Sequence, residues 1–175
     1  MAVAERSQSG ALPTSFGGQE FRQAVGSFAT GVTVVTTNSG DEKFGMTANS
    51  FTSVSLDPPL VLVCAISGTE GSAVIARNGR FAVNILAADQ EPLSRFFASK
   101  DRPRGLDAFR DIAHSDGVTG CPIIDDCAGH LDCLLQVSYE AGDHIIFIGE
   151  VQALAVDPEK TPLVFHSGKY RVVAS

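Results

Sequence analysis

The stretch GMTANSFTSVSLDPPL, residues 45–60, carries many small hydroxyl and amide side chains for a β-strand and its exit. Its polar members include Thr47, Asn49, Ser50, Ser53 and Ser55. A buried hydroxyl or amide without a hydrogen-bond partner costs about 1 to 3 kcal/mol, so each of these groups needs a partner. A bond within a turn or at a sheet edge would satisfy any one of them, whereas the whole cluster also fits a bound polar ligand.

Two further segments contain histidine. In AGDHIIFIGEV, His144 starts a strand directly after a Gly142-Asp143 turn, where it could serve a reaction or simply lie at the surface. The segment FHSGKYR gathers an aromatic ring, an imidazole, two cations and a phenol around a tight turn. An exposed turn of mixed character explains that second segment equally well.

The sequence predicts no metal site. In CAGHLDC, a strand would place Cys127 and Cys133 on one face and His130 and Asp132 on the other, so the ligands would diverge. The glycine-rich dinucleotide fingerprint, the phosphate-binding P-loop, the GxSxG elbow and the HExxH motif are absent from the sequence. Any nucleotide would therefore be bound outside the common α/β frameworks.

The elements that must position these residues follow from hydrophobic periodicity. Phe21, Val25 and Phe28 recur at helical spacing and predict a short amphipathic helix. The segments VTVVTTNSG, DEKFGMTANSF and PLVLVCAI predict three strands, the first two forming a hairpin through NSGDEK. SVSLDPP is expected to separate the second and third strands, with its paired prolines at a corner or sheet edge, and EGSAVIARNG and QEPLSRFFASK are expected to be helices.

The C-terminal third predicts paired strands. HLDCLLQVSYEAG and DHIIFIGEVQALAVD flank a turn at Gly142, and PLVFHSGKYRVV forms a hairpin at Ser167-Gly168. Residues 101–126 are expected to be mostly loop with fragments of strand. About seven strands without a βαβ alternation predict a mainly β, antiparallel barrel with a few short helices. Residues 1–18 are expected to be a disordered tail and residues 19–175 a single domain.

Composition excludes several classes of function. The chain has 175 residues, a net charge of −7 and a pI near 4.9, which argue against a nucleic-acid surface. Lys100, Arg102 and Arg104 are possible local anchors for a small anion. No apolar run is long enough to span a membrane and no secretory signal is visible, so we expect a cytoplasmic protein. Four cysteines without a CxxC pair are expected to be free, mostly buried thiols.

Five motifs in fixed order carry a family resemblance: FATGVTVVTT, GMTANSFTSVSLDPPLVLVC, GRFAVNIL, AGDHIIFIGEV and PLVFHSGKYR. Together they resemble the short-chain flavin reductase family, the reductase partners of two-component flavin-dependent monooxygenases. The resemblance extends from about Phe21 to Arg171. It implies an antiparallel split β-barrel that forms a homodimer, with FMN or FAD bound close to the interface.

The resemblance also implies functional residues. The flavin would contact a polar segment made of Thr47, Ala48, Asn49, Ser50, Ser53, Val54 and Ser55. Its phosphate would lie near Cys64, Ala65 and Ser72, and Phe81 and Asn84 would line the pocket. NADH or NADPH would contact His144, Phe165, His166, Tyr170 and Arg171. Hydride transfer to a flavin requires stacking and alignment more than a nucleophile. His144 would be the catalytic residue, positioning the nicotinamide or stabilising anionic reduced flavin.

The implied activity is an NAD(P)H:flavin oxidoreductase that supplies reduced flavin to a monooxygenase or halogenase. Two alternatives remain open: a reductase whose bound flavin reduces a ferric or cobalt complex, and a flavin- or heme-binding barrel without turnover. The sequence departs from the family pattern twice. AISGTEGSAV lacks a basic residue expected near the phosphate, and the loop KDRPRGLDAFRDIAHSDG is longer than expected and could reshape the pocket entrance.

Overall fold

The computed structural model describes residues 15–39 and 42–173 and is built mainly of β-strands. Its helices are α1 (Gly18–Gly26), α2 (Glu70–Asn78) and α3 (Glu91–Ala98), with 3-10 helices at Ala88–Gln90 and Gly105–Phe109. The strands are β1 (Thr30–Gly31), β2 (Thr33–Ser39), β3 (Glu42–Ala48), β4 (Phe51–Leu56), β5 (Pro59–Ile66), β6 (Arg80–Ile85), β7 (His114–Asp116), β8 (Pro122–Ile124), β9 (Gly129–Ala141), β10 (His144–Val156), β11 (Leu163–His166) and β12 (Lys169–Val172). The prediction of a mainly β fold with few short helices is confirmed.

Most strands belong to one antiparallel sheet of seven strands in the order β3-β2-β6-β9-β10-β5-β4. A second sheet, β1-β11-β12, and a two-stranded sheet, β7-β8, flank it. The strands β9 and β10 pair along almost their whole length, from His144 opposite Ala141 to Val156 opposite Gly129. This long pair confirms the two C-terminal strands and the Gly142 turn predicted from the sequence.

The sequence analysis missed one strand. Residues 53–56 of SVSLDPP, which was expected only to separate two strands, belong to β4, and β4 pairs with β5 from Phe51 opposite Val63 to Leu56 opposite Pro59. Sheet pairing uses backbone groups, so the polar side chains of β4 do not prevent it. The two prolines are compatible with the pairing because Pro58 lies in the turn and Pro59 begins β5.

The first predicted helix is confirmed as α1, but its apolar side chains are not buried. Phe21 and Val25 are each 56% exposed, and Phe28, just beyond the helix, is 75% exposed. Most of the predicted tail, residues 1–14, lies outside the described residues. The turn of the predicted N-terminal hairpin includes residues 40 and 41, which also lie outside them, while β2 and β3 on either side pair as expected.

The core lies on both faces of β2. Val35 belongs to one apolar cluster with Phe81, Phe147 and Ile75 of α2. Val34 points to the opposite face and belongs to a second cluster with residues including Phe97, Phe109 and Leu163. Because successive side chains of a strand point to opposite faces, β2 anchors both clusters and fixes the position of β3 beside it.

Two buried polar side chains of the main sheet are hydrogen-bonded within the fold. The Asn84 amide donates to Val34 O at 3.0 Å, and its oxygen accepts from the Ile124 N–H at 2.8 Å. The Asp132 carboxylate, 1% exposed, accepts from the Thr119 N–H at 2.8 Å and from the Thr119 hydroxyl. These bonds attach the loop between β7 and β8 to the main sheet. Among the described residues, no helix is long and apolar enough to cross a membrane.

Gly149→Ala is expected to lower the free energy of unfolding by about 1 to 3 kcal/mol through overpacking. A Cβ at this position would lie 2.5 Å from Phe81 Cζ and 2.9 Å from Cys133 Cβ, and both residues are fully buried. Gly31→Ala is the matched control, because its Cβ would meet no described atom within 4 Å. Urea denaturation followed by circular dichroism measures both, and equal losses would contradict the packing argument.

Candidate active site

A cavity of about 590 Å³ opens between β3, β5, the start of α2 and the loop that follows α3. It is lined by residues 43–50, 64–66, 69–71, 97–98, 100, 102–105, 108 and 144. The size falls in the range of small-molecule sites, about 300 to 1,000 Å³. The strand β3 is an edge strand of the large sheet, and β5 lies next to the opposite edge. Because both strands line the cavity, the two ends of the sheet lie close together there.

The β3 side of the cavity combines small residues with a polar corner. The Thr47 hydroxyl donates to Ser94 O at 2.6 Å, so this side chain is satisfied within the protein. Ala48 and Asn49 follow, and Asn49 is exposed at the cavity. Gly45 allows the Phe97 ring to pack directly against the strand, since a Cβ there would meet Phe97 Cδ1 at 2.8 Å. The Phe97 ring therefore lies directly against the β3 backbone at this wall of the cavity.

Ser50 ties this corner to β5. Its hydroxyl donates to Cys64 O and accepts from the Cys64 N–H, each at 3.0 Å. Both residues line the cavity, as does Ala65. Burial raises the pKa of the Cys64 thiol, and the hydrogen bond with Ser50 offsets this only in part. Cys64 thus remains a thiol at neutral pH and is not an activated nucleophile.

The start of α2 forms the opposite side. Thr69 caps the helix by accepting the Ser72 N–H at 3.4 Å, and Glu70 and Gly71 face the cavity. A Cβ on Gly71 would lie 2.9 Å from Phe44 Cζ, so glycine permits the close approach of α2 to β3. Ser72 itself is buried, its hydroxyl donating to Thr69 O, and it does not line the cavity.

The charged residues at the cavity mouth come mostly from the loop after α3. Arg102 donates to Gly45 O at 2.7 Å and lies over the Phe44 ring, and burial lowers the pKa of this guanidinium. Arg104 pairs with Glu70 at 2.9 Å. Lys100 also lines the cavity. The sequence suggested these three cations as anion anchors, and the structure brings them to one cavity.

Lys43 is a further cavity cation, which the sequence analysis missed. Its ammonium donates to His114 Nε2 at 2.8 Å and lies 3.6 Å from Asp116. The pairing depends on contacts between segments about seventy residues apart in sequence. Local sequence carries no signal for such a contact.

His144 lies at the cavity edge, at the start of β10 and opposite Ile66. Its Nδ1 is 2.8 Å from the Asp143 carboxylate, which accepts the hydrogen bond when Nδ1 carries the proton. This hydrogen bond, with the charge interaction, lowers the pKa of Asp143. Asp143 therefore remains ionised, and able to accept this hydrogen bond, at a lower pH than an ordinary aspartate would.

Several expected site residues do not meet at this cavity. Ser53, Val54 and Ser55 lie on the edge strand β4, with Ser53 and Val54 exposed. Phe81 and Asn84 were expected to line the pocket, but both are fully buried in the core. Their strand, β6, lies inside the large sheet, where the flanking strands and the apolar clusters cover it.

The β11–β12 hairpin also lies away from the cavity. Phe165 and Tyr170 contact each other with ring centroids 5.3 Å apart, and the Tyr170 hydroxyl is 2.8 Å from Ser94 Oγ. Arg95 of α3 lies over the Tyr170 ring. His166 and Arg171 do not line the cavity. Tyr170 and Thr47 nevertheless both contact Ser94 of α3, Tyr170 through the Ser94 hydroxyl and Thr47 through the Ser94 carbonyl. Ser94 therefore links the hairpin to the β3 wall of the cavity.

A smaller cavity of about 320 Å³ adjoins the first. Asn49 lines both, and the other residues of the second cavity include Phe28, Thr30 and Phe51. Within the described part of the chain, the Thr30 hydroxyl is buried and has no hydrogen-bond partner. No group of three or more His, Cys, Asp or Glu in residues 15–39 and 42–173 is arranged to hold a metal ion.

Comparison with known proteins gives consistent results. A model of the flavin reductase like domain matches residues 25–174. An NADH-dependent FAD reductase from Streptomyces globisporus is 43% identical over 153 residues, covering 87% of this chain and 84% of that protein. The NADH-dependent FMN reductase AsuE2 from Streptomyces nodosus subsp. asukaensis is 41% identical, with coverage of 90% and 85%.

Among solved structures, BorF, the flavin reductase component of a bacterial two-component tryptophan halogenase, superposes with a TM-score of 0.85. It is 40% identical and covers 90% of this chain and 98% of its own. The family model spans well over half of the chain, and the relatives match along most of their length. The chain therefore belongs to the flavin reductase like domain family.

Proposed function

We propose that this protein is an NAD(P)H:flavin oxidoreductase that transfers a hydride from NADH or NADPH to FMN or FAD. The observation that carries the proposal is one cavity that combines the small residues Ala48, Ser50 and Ala65, a cluster of cations and a histidine, in a chain of this family. The relatives named as NADH-dependent reductases of FAD and of FMN support both the activity and NADH as the preferred donor.

The residues of the cavity fit a flavin. Ala48, Ser50 and Ala65 are small enough for a planar ring system to approach the backbone, and Asn49 offers donors and an acceptor to its polar edge. The cations at the mouth suit a phosphate or diphosphate. Thr47 and Cys64 contribute by fixing the walls, since the Thr47 hydroxyl already bonds Ser94 and the Cys64 backbone bonds Ser50.

When bound, the flavin supplies the hydride-accepting ring, and this chain supplies alignment. His144 lies at the cavity edge and is held by Asp143, so its ring can position the nicotinamide or hold a proton beside the reacting groups. Backbone and small side chains of β3 and β5 orient the flavin ring. The cations at the cavity mouth would hold its phosphate.

We further propose that the sheet closes as a split barrel and that the protein is a homodimer. The approach of β3 toward β5 across the cavity supports closure. The exposed apolar side chains of Phe21, Val25 and Leu56 support burial against a second copy. Ser53, Val54, Ser55, Phe165, His166, Tyr170 and Arg171 remain proposed flavin or NAD(P)H contacts that would need this assembly, whereas the buried Ser72 would support the start of α2 through Thr69.

Reduced flavin would pass to a monooxygenase or halogenase. BorF is the flavin reductase component of a two-component tryptophan halogenase, and its similarity to this chain supports a partner of this kind. We also place the protein in the cytoplasm, because its four free cysteines suit a reducing compartment.

The purified protein is expected to oxidise NADH faster when free FMN or FAD is added. Absorbance at the nicotinamide band measures the rate with each flavin and each nucleotide under anaerobic conditions. The ratio of kcat/KM values identifies the preferred pair. Absence of turnover with all four pairs would overturn the proposed activity.

His144→Asn is expected to lower kcat/KM for NADH about tenfold or more, because it removes a positioning or proton-holding group. His130→Asn is the matched control, since His130 lies on β9 and does not line the cavity. Flavin fluorescence quenching should show unchanged flavin binding in both variants. Full kcat and KM in His144→Asn would exclude a role for His144 in the reaction.

Light scattering is expected to give a mass of two 18.4 kDa chains. The double variant Phe21→Ser/Val25→Ser should shift the protein toward one chain, because it removes exposed apolar surface from α1. Arg22→Ser, on the same helix, is the control. A single-chain mass for the unmodified protein at micromolar concentration would contradict the dimer.

A further inference from the structure

The charges around the main cavity are strongly biased. The described lining contains four of the chain's 13 Lys and Arg residues but one of its 20 Asp and Glu residues. The protein as a whole carries a net charge of −7, so this bias is local. A cavity lined in this way attracts an anion against the repulsion of the whole molecule.

Two of the four cations are already engaged in holding the walls together. Arg102 bonds the carbonyls of Gly45 and Ser99 and lies over Phe44, so it fastens the loop after α3 to β3. Lys43 bonds His114 and lies near Asp116. If Arg102 or Lys43 turned toward a ligand, its present hydrogen bonds would break, and the protein groups left behind would lack partners unless the walls rearranged.

The other two cations are available to a ligand. Arg104 has a side chain that is 74% exposed, and it is held by Glu70 at 2.9 Å. Lys100 lines the cavity and forms no ion pair with any residue in the described ranges. An exposed ion pair of this kind contributes little to stability, so an incoming anion can displace one member.

Glu70 is the acidic residue of the lining, and it begins α2, directly after the cap residue Thr69. Its carboxylate therefore lies where the backbone N–H groups at the start of α2 and the Arg104 guanidinium together favour negative charge. A phosphate would offer the same guanidinium a more highly charged partner that can accept two of its N–H groups at once. A phosphate that bound Arg104 would therefore compete with the Glu70 carboxylate.

We propose that the Glu70–Arg104 ion pair is an exchange latch: the phosphate group of a flavin nucleotide displaces the Glu70 carboxylate from Arg104, and Lys100 becomes its second cation. This inference rests on the proposed function, because it names how that same cavity selects phosphorylated flavins. Glu70 weakens binding by competing for Arg104 and by repelling the phosphate.

The test measures dissociation constants of FMN, FAD and riboflavin for the unmodified protein and for Glu70→Gln, Arg104→Gln and the double variant. Riboflavin carries the same ring and ribityl chain but no phosphate. Glu70→Gln should tighten FMN and FAD binding about three- to tenfold, and Arg104→Gln should weaken it by a similar factor. In the Arg104→Gln background, Glu70→Gln should give less than half of its own effect. Both shifts should shrink as salt rises from low to physiological concentration.

Glu91→Gln is the matched control, because it removes the same charge from an exposed ion pair, with Arg95, outside the cavity lining. It should leave all three dissociation constants unchanged. Unchanged FMN and FAD binding in Glu70→Gln, or equal shifts for riboflavin, would overturn the latch. Riboflavin binding together with flavin-dependent NADH oxidation tests the proposed function separately, so failure of the latch and failure of the flavin reductase activity give different results.

Discussion

Burial of β2 on both faces is the constraint on which the rest of the structure depends. Val35 belongs to the cluster inside the large sheet and Val34 to the cluster formed with α3 and the loop region. Because both faces are filled, the register of β2 cannot slip by one residue without moving apolar groups to the wrong side. Its partner β3 is therefore held in place although its other edge is unpaired in the large sheet. That fixed edge strand provides one wall of the cavity.

The cavity is completed by contacts that cross between distant segments. Phe97 packs against Gly45, Arg102 bonds the carbonyl of Gly45, and Phe44 packs against Gly71. Each contact uses a glycine or a backbone oxygen of a neighbouring element, so the walls of the cavity lie close together. The cations of the loop after α3 therefore lie together at the entrance of the cavity. A net acidic protein thereby presents a local site for an anionic ligand. Selectivity for a phosphorylated flavin would follow from this loop rather than from the sheet.

The outcome for the polar stretch at residues 45–60 shows what local pattern can predict. The hydroxyls of Thr47 and Ser50 find partners inside the protein, at Ser94 and Cys64, rather than on a ligand. Asn49 faces the cavity, and Ser53 lies on an outer edge strand. The alternation along a strand indicates which residues share a face, but it does not indicate which face lies toward a ligand. Phe81 and Asn84 were misplaced for that reason, because β6 is covered on both sides.

By itself, the sequence determined most of the element types and their order, though not β4, together with the turns at Gly142 and Ser167-Gly168 and the family. These depend on local periodicity, turn chemistry and short motifs, which act over a few residues. Only the tertiary structure decided which side chains meet: Lys43 with the loop cations, Arg104 with Glu70, and His144 beside β5. Such long-range contacts depend on how the sheet curves and how the loops pack across it. Both the curvature and the loop packing depend on apolar burial summed over the whole chain.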